Sequence, residues 1–410
     1  MNARLADTKL LAFAVLIAVS GALLFVRAGT SETQEPTKQQ RPRTVGANQN
    51  SNKSAQPQPT KSPGEEVDEG DVVRVETQLV SVPAVVTDKS GRPVPMLRLE
   101  NFTVLEDGQP QKLTNFSTTE APFEIALLLD TSGSTREELG LIRDAANAFL
   151  SALRAGDRVA IIGFNNSNGT SGPAAAVEVL SPLTDKRTVL RSAIANLGTS
   201  NGTPYYDALS RVADEVFRDP PTDQFRGRRA VVALTDGVDS SSNSDYASAR
   251  AKLTRAGVAT YFIQVSTEDY VEDRLLKDCQ DDGRLTLSAK QLERFRQLFV
   301  PSAQKEDYAD FCRLGQFERM DISRQLYNLA RREMGELARS TGGKNFSAAS
   351  LQEARAAFAE VANEIGTQYS LGYYPSNKAR DGQFRKITVQ LRGVKDANVR
   401  AREGYYAPKQ

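Results

Sequence analysis

The stretch that decides the fold is FEIALLLDTSGS at residues 123–134. Its apolar part, residues 125–129, has the length and uninterrupted hydrophobicity of a buried strand. A polar loop begins at Asp130, and Thr135 followed three residues later by Glu138 has the pattern of a capping box at the start of a helix. A strand that leads through a polar loop into a helix is the unit of an open α/β sheet, whose ligands bind beyond the carboxyl ends of the strands.

The same alternation of strands and helices continues to about residue 365. The further strands are predicted at residues 158–164, 174–180, 230–235 and 259–265, with a short last strand after residue 343, and the helices begin near residues 185, 205, 246, 325 and 351. Because these strands are apolar runs, we expect a largely parallel sheet that is covered by helices on both faces. Residues 266–324 interrupt the rhythm, and we interpret this charged segment as a helical insertion, either a lid or a partner surface.

The segments on both sides of the α/β block have β patterns, in residues 72–116 and again after residue 369. Asp107-Gly108 lies between two strand-like runs, which is a strong signal for a hairpin. Neither β segment is large enough to form a core alone. We therefore predict an α/β fold with a doubly wound, mostly parallel sheet, flanked by or inserted in a small β-sandwich that the C-terminal strands complete.

The N-terminal region has the pattern of an export signal. An apolar run at residues 10–26 follows Arg4 and Lys9, and its length lies between that of a signal-peptide core and that of a membrane span, so cleavage stays open. The next 42 or so residues are rich in Ser, Gln, Asn and Pro and contain too little apolar surface to fold. We expect the chain to be exported to the periplasm or the extracellular space, either secreted or held to the membrane through this segment alone.

These patterns divide the chain into five parts. They are a signal peptide or membrane anchor (1–29), a disordered linker (30–71), the N-terminal part of the β-sandwich (72–120), the α/β domain (121–368, with its insertion at 266–324) and the C-terminal strands (369–410). The insertion contains the two cysteines, Cys279 and Cys312. In an exported chain they could form one disulfide, and the alternative is two unpaired thiols.

Composition excludes several kinds of chemistry. The sequence contains no histidine, which rules out a Ser-His-Asp triad, a Cys-His pair and a zinc site with histidine ligands. The formal net charge is +1, so no overall field attracts nucleic acid. Any general acid or base would have to be Asp, Glu, Lys, Tyr or Cys.

Three polar loops at predicted strand ends or helix starts contribute side-chain oxygens. The residues are Asp130, Ser132, Ser134, Thr203 and Asp236, within the sequences DTSGS (130–134), GTPYYDAL (202–209) and ALTDG (233–237). An all-oxygen set of this kind suits a hard cation such as Mg²⁺. The alternative is that the hydroxyls cap helices and Asp236 lies in a turn. We expect Asp207 to favour its helix N-terminus, and Asp239 and Ser240 to lie in a surface loop.

In these motifs the chain resembles the von Willebrand factor type A (VWA) domain and its metal-ion-dependent adhesion site (MIDAS), whose pattern is D-x-S-x-S, then Thr, then Asp. The resemblance covers about residues 123–365. It implies that Ser132, Ser134 and Thr203 bind Mg²⁺ (or Mn²⁺ or Ca²⁺) directly, while Asp130 and Asp236 act largely through water. The segments VTDKSG (86–91), EDG (106–108) and REGYY (402–406) are similar to exported bacterial VWFA-related proteins.

The resemblance implies a non-enzymatic binding protein. A metal ion held by neutral hydroxyls attracts an Asp or Glu carboxylate from a protein partner, as in adhesion or the assembly of an envelope complex. One alternative is a Mg²⁺-dependent phosphohydrolase of the haloacid-dehalogenase type, but that class needs a second Asp where this chain has Ser132. The other alternative is a metal-free structural scaffold.

Overall fold

The computed structural model describes residues 79–117, 121–133, 135, 138–169, 172–277 and 287–409. The predicted export signal, the linker, Ser134 and Cys279 lie outside these ranges. Within the described residues, no helix combines the length and the apolar content that crossing a membrane requires.

The described strands and helices follow the chain in this order. The strands are β1 (Val80–Asp88), β2 (Phe102–Glu106), β3 (Gln109–Gln111), β4 (Leu113–Ser117), β5 (Glu124–Leu129), β6 (Arg158–Gly169), β7 (Gly172–Thr184), β8 (Arg229–Thr235), β9 (Ala259–Val265), β10 (Lys344–Ala348), β11 (Tyr369–Tyr373), β12 (Phe384–Leu391), β13 (Ala397–Ala401) and β14 (Gly404–Tyr406). The helices are α1 (Leu139–Ala152), α2 (Arg187–Ala195), α3 (Tyr205–Arg211), α4 (Tyr246–Ala256), α5 (Glu268–Lys277), α6 (Ala289–Phe299), α7 (Gln316–Thr341) and α8 (Leu351–Gly366).

The central sheet has six strands in the order β10-β9-β8-β5-β6-β7. All neighbouring pairs are parallel except β6 and β7, which form an antiparallel hairpin at one edge. In the register of β5 and β8, Leu129 is paired with Leu234, so both strands end at the same level. The loops that follow these two strands therefore meet at one edge of the sheet.

Helices cover both faces of this sheet, because its apolar strands alternate their side chains between two cores. Ile125, Leu127 and Leu129 of β5 face a core shared with α1, α2 and α8. Ala126 and Leu128 face the other core, formed with α3, α4 and α7. The predicted fold class, a doubly wound α/β sheet with additional β-sandwich strands, is confirmed.

The additional strands form two four-stranded antiparallel sheets, ordered β13-β1-β11-β4 and β14-β12-β2-β3, that pack on a common core. Each sheet combines strands from before and after the α/β block, since β11 pairs with β1 and β4 while β12 pairs with β2. Asp107 and Gly108 both have positive φ values, as the two-residue turn between β2 and β3 requires. Residues 111–116, predicted as one strand, divide at Lys112 between the two sheets.

Two helix predictions were wrong in detail. Thr135 does not cap α1, which begins at Leu139; its hydroxyl donates to the carbonyls of Asp130 and Ser132 and closes the polar loop instead. The helix predicted from residue 325 begins nine residues earlier, at Gln316, inside the predicted insertion. Its early turns carry Ile322 and Leu326, which pack in a separate core with α6 and not on the sheet. The helix predicted from residue 205 is present, as α3 followed directly by a π-helical turn at Val212–Val216.

Candidate metal centre

Asp130 lies directly after β5 and is only 1% exposed. Its backbone N–H donates to the carbonyl of Leu234, which fixes the start of the loop against β8 (3.0 Å). One carboxylate oxygen, Oδ1, accepts the backbone N–H of Ser132 (3.0 Å), and the other, Oδ2, accepts the hydroxyl of Thr235 (2.6 Å). Among the described residues, no arginine or lysine forms an ion pair with this buried carboxylate.

Asp236 lies at the end of the neighbouring strand, β8, and is 3% exposed. Its Oδ1 accepts the backbone N–H of Val238 (2.9 Å), and its Oδ2 accepts the hydroxyl of Thr267 (2.6 Å). That hydroxyl also hydrogen-bonds the phenol of Tyr327 on α7 (2.8 Å). The carboxylate of Asp236 is therefore held from two sides, by its own turn and by the residues that follow β9.

The two buried carboxylates are close enough to repel each other. Burial, and then the negative charge of Asp236, raise the pKa of Asp130 to about 7, although the hydrogen bonds from Ser132 and Thr235 act in the opposite direction. A divalent cation beside both side chains would remove this repulsion and favour the ionised forms.

The hydroxyl of Ser132 is close enough to the carboxylate of Asp130 to lower its pKa, but not in hydrogen-bonding geometry. The residue is 2% exposed, and its Oγ is buried without a hydrogen-bond partner among the described residues. Buried polar side-chain atoms without a partner are uncommon and call for an explanation such as an ion. Ser132 does not cap α1, whose N-cap residue is Glu138, so the predicted alternative role is not the reason for its position.

Thr203 is fixed beside the same two loops by backbone hydrogen bonds. Its N–H donates to the hydroxyl of Ser240 (2.8 Å), and its carbonyl accepts the N–H of Ser240 (3.0 Å). Three residues earlier, the N–H of Ser200 donates to the carbonyl of Thr131 (3.0 Å). The N-cap residue of α3 is Pro204, so Thr203 does not cap that helix either.

The structure thus brings Asp130, Ser132 and Asp236 to one edge of the sheet and ties the loop of Thr203 to that edge. Ser134 is the one predicted ligand that lies outside the described residues. No group of three or more Asp, Glu, His or Cys that could hold a metal occurs in the described part of the chain. The donors here are two carboxylates and hydroxyl groups, which fit a hard cation that keeps some of its waters.

A comparison with known families identifies this region. Residues 125–238 match the family model described as the von Willebrand factor type A domain. The chain contains a VWA domain. No curated protein matched the sequence.

Several solved structures are similar to this chain at low sequence identity. A VWA protein from Catenulispora acidiphila is 10% identical over 75% of this chain and 74% of its own, with a TM-score of 0.38. BatB from Bacteroides thetaiotaomicron is 14% identical over 59% of this chain and 98% of its own, with a TM-score of 0.34. Proximal thread matrix protein 1 from the mussel byssus is 13% identical over 59% of this chain, with a TM-score of 0.35. The match spans 47%, about half, of the mussel protein's length.

Two further carboxylates lie close to the VWA site. Asp207 is in the first turn of α3, as predicted, and it also accepts the backbone N–H groups of Asn243 and Ser244, so it supports the loop after β8. Asp239, expected in a surface loop, is partly buried and accepts the N–H groups of Tyr206 and Ser242. These carboxylates hold the site loops together and do not join the group of predicted ligands.

Sequence reasoning missed the residues that orient the two carboxylates, namely Thr235, Thr267 and Tyr327. Thr235 and Thr267 lie at or just beyond the carboxyl ends of their strands, β8 and β9. Their position in the sequence could have placed both hydroxyls at the same edge of the sheet as Asp130 and Asp236. The sequence gave no such indication for Tyr327, because this residue reaches the site from the middle of α7.

The inserted helix α6 holds the loop that positions Thr203. The hydroxyl of Ser288 donates to the carbonyl of Ser240 (2.6 Å), and the ammonium of Lys290 donates to the carbonyls of Ser241 and Ser242 (2.8 Å each). The insertion therefore contacts the candidate metal centre through the loop after β8.

Proposed function

We propose that the VWA domain is a non-enzymatic binding module that captures a protein partner through a Mg²⁺ ion. The ion would be held by Asp130, Ser132, Ser134, Thr203 and Asp236. The observation that supports this most directly is the pair of buried carboxylates beside the buried Ser132 hydroxyl, which has no hydrogen-bond partner among the described residues.

The chemistry of the donors favours binding over catalysis. The carboxylates of Asp130 and Asp236 are each held by at least two hydrogen bonds from the described residues, which suits ligands that act through water. Direct hydroxyl ligands are neutral and leave much of the cation's charge uncompensated. An Asp or Glu carboxylate on the partner would complete the coordination and neutralise this charge.

The test is a capture experiment with a matched bait. Immobilised wild-type protein should retain a partner in Mg²⁺ and release it when a chelator is added, and a Thr203→Ala bait should retain none. Amidation of the carboxyl groups in the extract should also abolish capture, because the partner's carboxylate is then neutral. Equal capture by Thr203→Ala, or capture that survives the chelator, would show that this site does not bind the partner.

The two alternative functions give different results. A phosphohydrolase would turn over an aryl phosphate with Mg²⁺ and lose that activity in Asp130→Ala. Ser132 cannot supply the second carboxylate that this class uses as acid and base. A metal-free scaffold would show no change in melting temperature at millimolar Mg²⁺ or Mn²⁺, whereas a metal-binding fold is stabilised by ligand binding.

We also propose that the protein is exported and divided as its sequence pattern indicates, with a signal or anchor segment and a linker before the folded part. The insertion supports export, because Cys312 takes part in a disulfide. Disulfides persist mainly in oxidising compartments. Protection of the folded part from protease added to intact cells would contradict export to the cell surface, and recovery only in the cytoplasmic fraction would contradict export altogether.

A further inference from the structure

A second polar site lies at the opposite ends of the sheet strands, between the VWA domain and the β-sandwich. It is a cavity of about 420 Å³ near the start of β8 and the turn before β9. Its charged lining consists of five arginines and one acid: Arg218, Arg226, Arg229, Arg255, Arg402 and Asp219. The cavity therefore has an excess of positive charge.

Arg402, the first residue of the REGYY motif, is the centre of this excess. It is only 9% exposed, and its guanidinium stacks over the ring of Tyr405, 5.5 Å from the centroid. Its Nε–H is buried without an acceptor, and the side chain forms no ion pair among the described residues. Burial lowers the pKa of Arg402 to about 10, which still leaves the group charged at neutral pH.

The C-terminal end of helix α4 lies next to the guanidinium of Arg402. Gly257, the C-cap residue of α4, has no side chain, and Nη1 of Arg402 lies next to it. If Gly257 carried a Cβ, that atom would be 3.4 Å from Nη1. The C-terminus of a helix offers at most about half a negative charge. A buried guanidinium with no carboxylate partner is costly, so the position favours an anion that comes from outside the described residues.

The other lining arginines differ in how far the protein already pairs them. Arg226 donates through one terminal nitrogen to Asp223 (2.7 Å), but its Nε–H is buried and meets no acceptor in the part of the chain that the structure describes. Arg229 already pairs with Glu124 (2.8 Å). Arg218 and Arg255 are exposed and lie at the rim of the cavity. The two guanidinium groups of Arg402 and Arg226 line the cavity and have the planar geometry that matches carboxylates and phosphates.

We propose that this cavity binds a small molecule that carries a carboxylate or a phosphate, with Arg402 and Arg226 as its main ligands. The volume is in the range of small-ligand sites. The site is independent of the candidate metal centre, since β8 separates Arg229 at its first residue from Asp236 just beyond its last. Neither site needs the other to be occupied.

The test is calorimetric titration of the full-length chain with inorganic phosphate and, separately, with citrate, each in chelator and against chloride of equal ionic strength. We expect saturable binding of at least one of the two probes, and the probe that binds identifies the oxyanion. Arg402→Met should weaken binding at least about tenfold, the loss expected for a charge-assisted hydrogen bond. Arg226→Met should weaken it less, and the exposed Arg332→Met on α7 should have no effect.

The stability of the variants separates a ligand site from a structural role. Because Arg402→Met removes a buried charge that has no partner, the variant should melt no lower than wild type in chloride buffer. Binding that is the same in Arg402→Met and wild type, no binding of either probe, or a large loss of melting temperature in Arg402→Met would each overturn the proposal. Oxyanion binding that persists in Asp130→Asn would show that the oxyanion site does not depend on the metal centre.

Discussion

Strand β5 has a buried carboxylate at each end, and the two are neutralised differently. Glu124, at the start of the strand, pairs with Arg158 and Arg229, both at 2.8 Å. Among the described residues, Asp130, just after the last residue of the strand, accepts hydrogen bonds from a backbone N–H and a hydroxyl, and it faces the negative charge of Asp236. The two carboxylates are about 20 Å apart along the strand, at roughly 3.3 Å per residue.

The difference shows which end of the sheet the protein completes by itself. At Glu124 the chain provides both the anion and its cations, which is the usual requirement for a buried charge. At Asp130 the described residues provide the anions and neutral donors but no cation. The carboxylate of Asp130 therefore has no cationic partner among the described residues, which supports the proposed metal ion, whereas the amino end of the sheet is a structural contact.

The largest expected effect on stability comes from removing the carboxylate of Glu124, which pairs with two arginines. Glu124→Gln keeps the shape of the side chain but leaves two arginines without their carboxylate, and one of them, Arg229, is 7% exposed. We expect the free energy of unfolding to fall by about 3–5 kcal/mol, as for other buried pairs that lose one partner. Urea unfolding measures this loss. Asp130→Asn, the matched change at the other end, should cost far less in chelator, and an equal loss in both variants would refute the comparison.

The pH dependence of the free energy of unfolding should also distinguish the Asp130 end of β5 from the Glu124 end. Since the pKa of Asp130 is raised from 3.8 to about 7 on folding, the metal-free protein should lose stability as the pH rises through this window. The loss is on the order of 4 kcal/mol. Saturating Mg²⁺ should reverse the trend, because the ion binds the ionised form. Urea unfolding at several pH values, with chelator or Mg²⁺, tests this prediction, and Asp130→Asn should show neither trend. Parallel curves for wild type and this variant would contradict it.

A smaller loss of stability is expected when the hydroxyl that orients Asp130 is removed. Thr235→Val removes the hydroxyl that donates to Asp130 and accepts the N–H of Gly237 (2.9 Å), and the shape of the side chain is kept. We expect a loss of about 1–3 kcal/mol in the free energy of unfolding, since buried polar groups lose their partners. Affinity for Mn²⁺ should also fall. The exposed Thr388→Val on β12 is the control, and unchanged Mn²⁺ affinity in Thr235→Val would show that the hydroxyl does not position Asp130.

The smallest effect is expected at the insertion. Lys290→Met removes three hydrogen bonds to residues 241–243, but Lys290 is exposed, so the free energy of unfolding should change by less than about 1 kcal/mol. Amide hydrogen exchange in the loop after β8 should increase, because the loop loses its contact with α6. The exposed Lys305→Met in the same insertion should leave exchange unchanged. An unaltered loop in Lys290→Met would mean that α6 does not stabilise this side of the metal centre.

Sequence patterns predicted the parts of the molecule that depend on local periodicity. The bounds of α4 and β9 agree with the prediction, because apolar runs and an N-cap aspartate define them locally. The order of strands and polar loops also predicted that Asp130 and Asp236 would meet. The early start of α7 could not be predicted, because its first turns are buried by the insertion and not by the sheet. The same holds for Arg402, whose burial depends on how the sandwich packs against the end of α4.

The most direct test is a calorimetric titration of the chelator-treated protein with Mg²⁺ and Mn²⁺ at pH 8, in wild type and in Ser132→Ala. The exposed Ser192→Ala on α2 is the control. One ion should bind per chain in wild type and Ser192→Ala, and Ser132→Ala should bind at least about tenfold more weakly, because it lacks a direct oxygen ligand. No binding at millimolar metal in wild type, or equal binding in Ser132→Ala, would contradict a metal ion at the carboxyl end of this sheet.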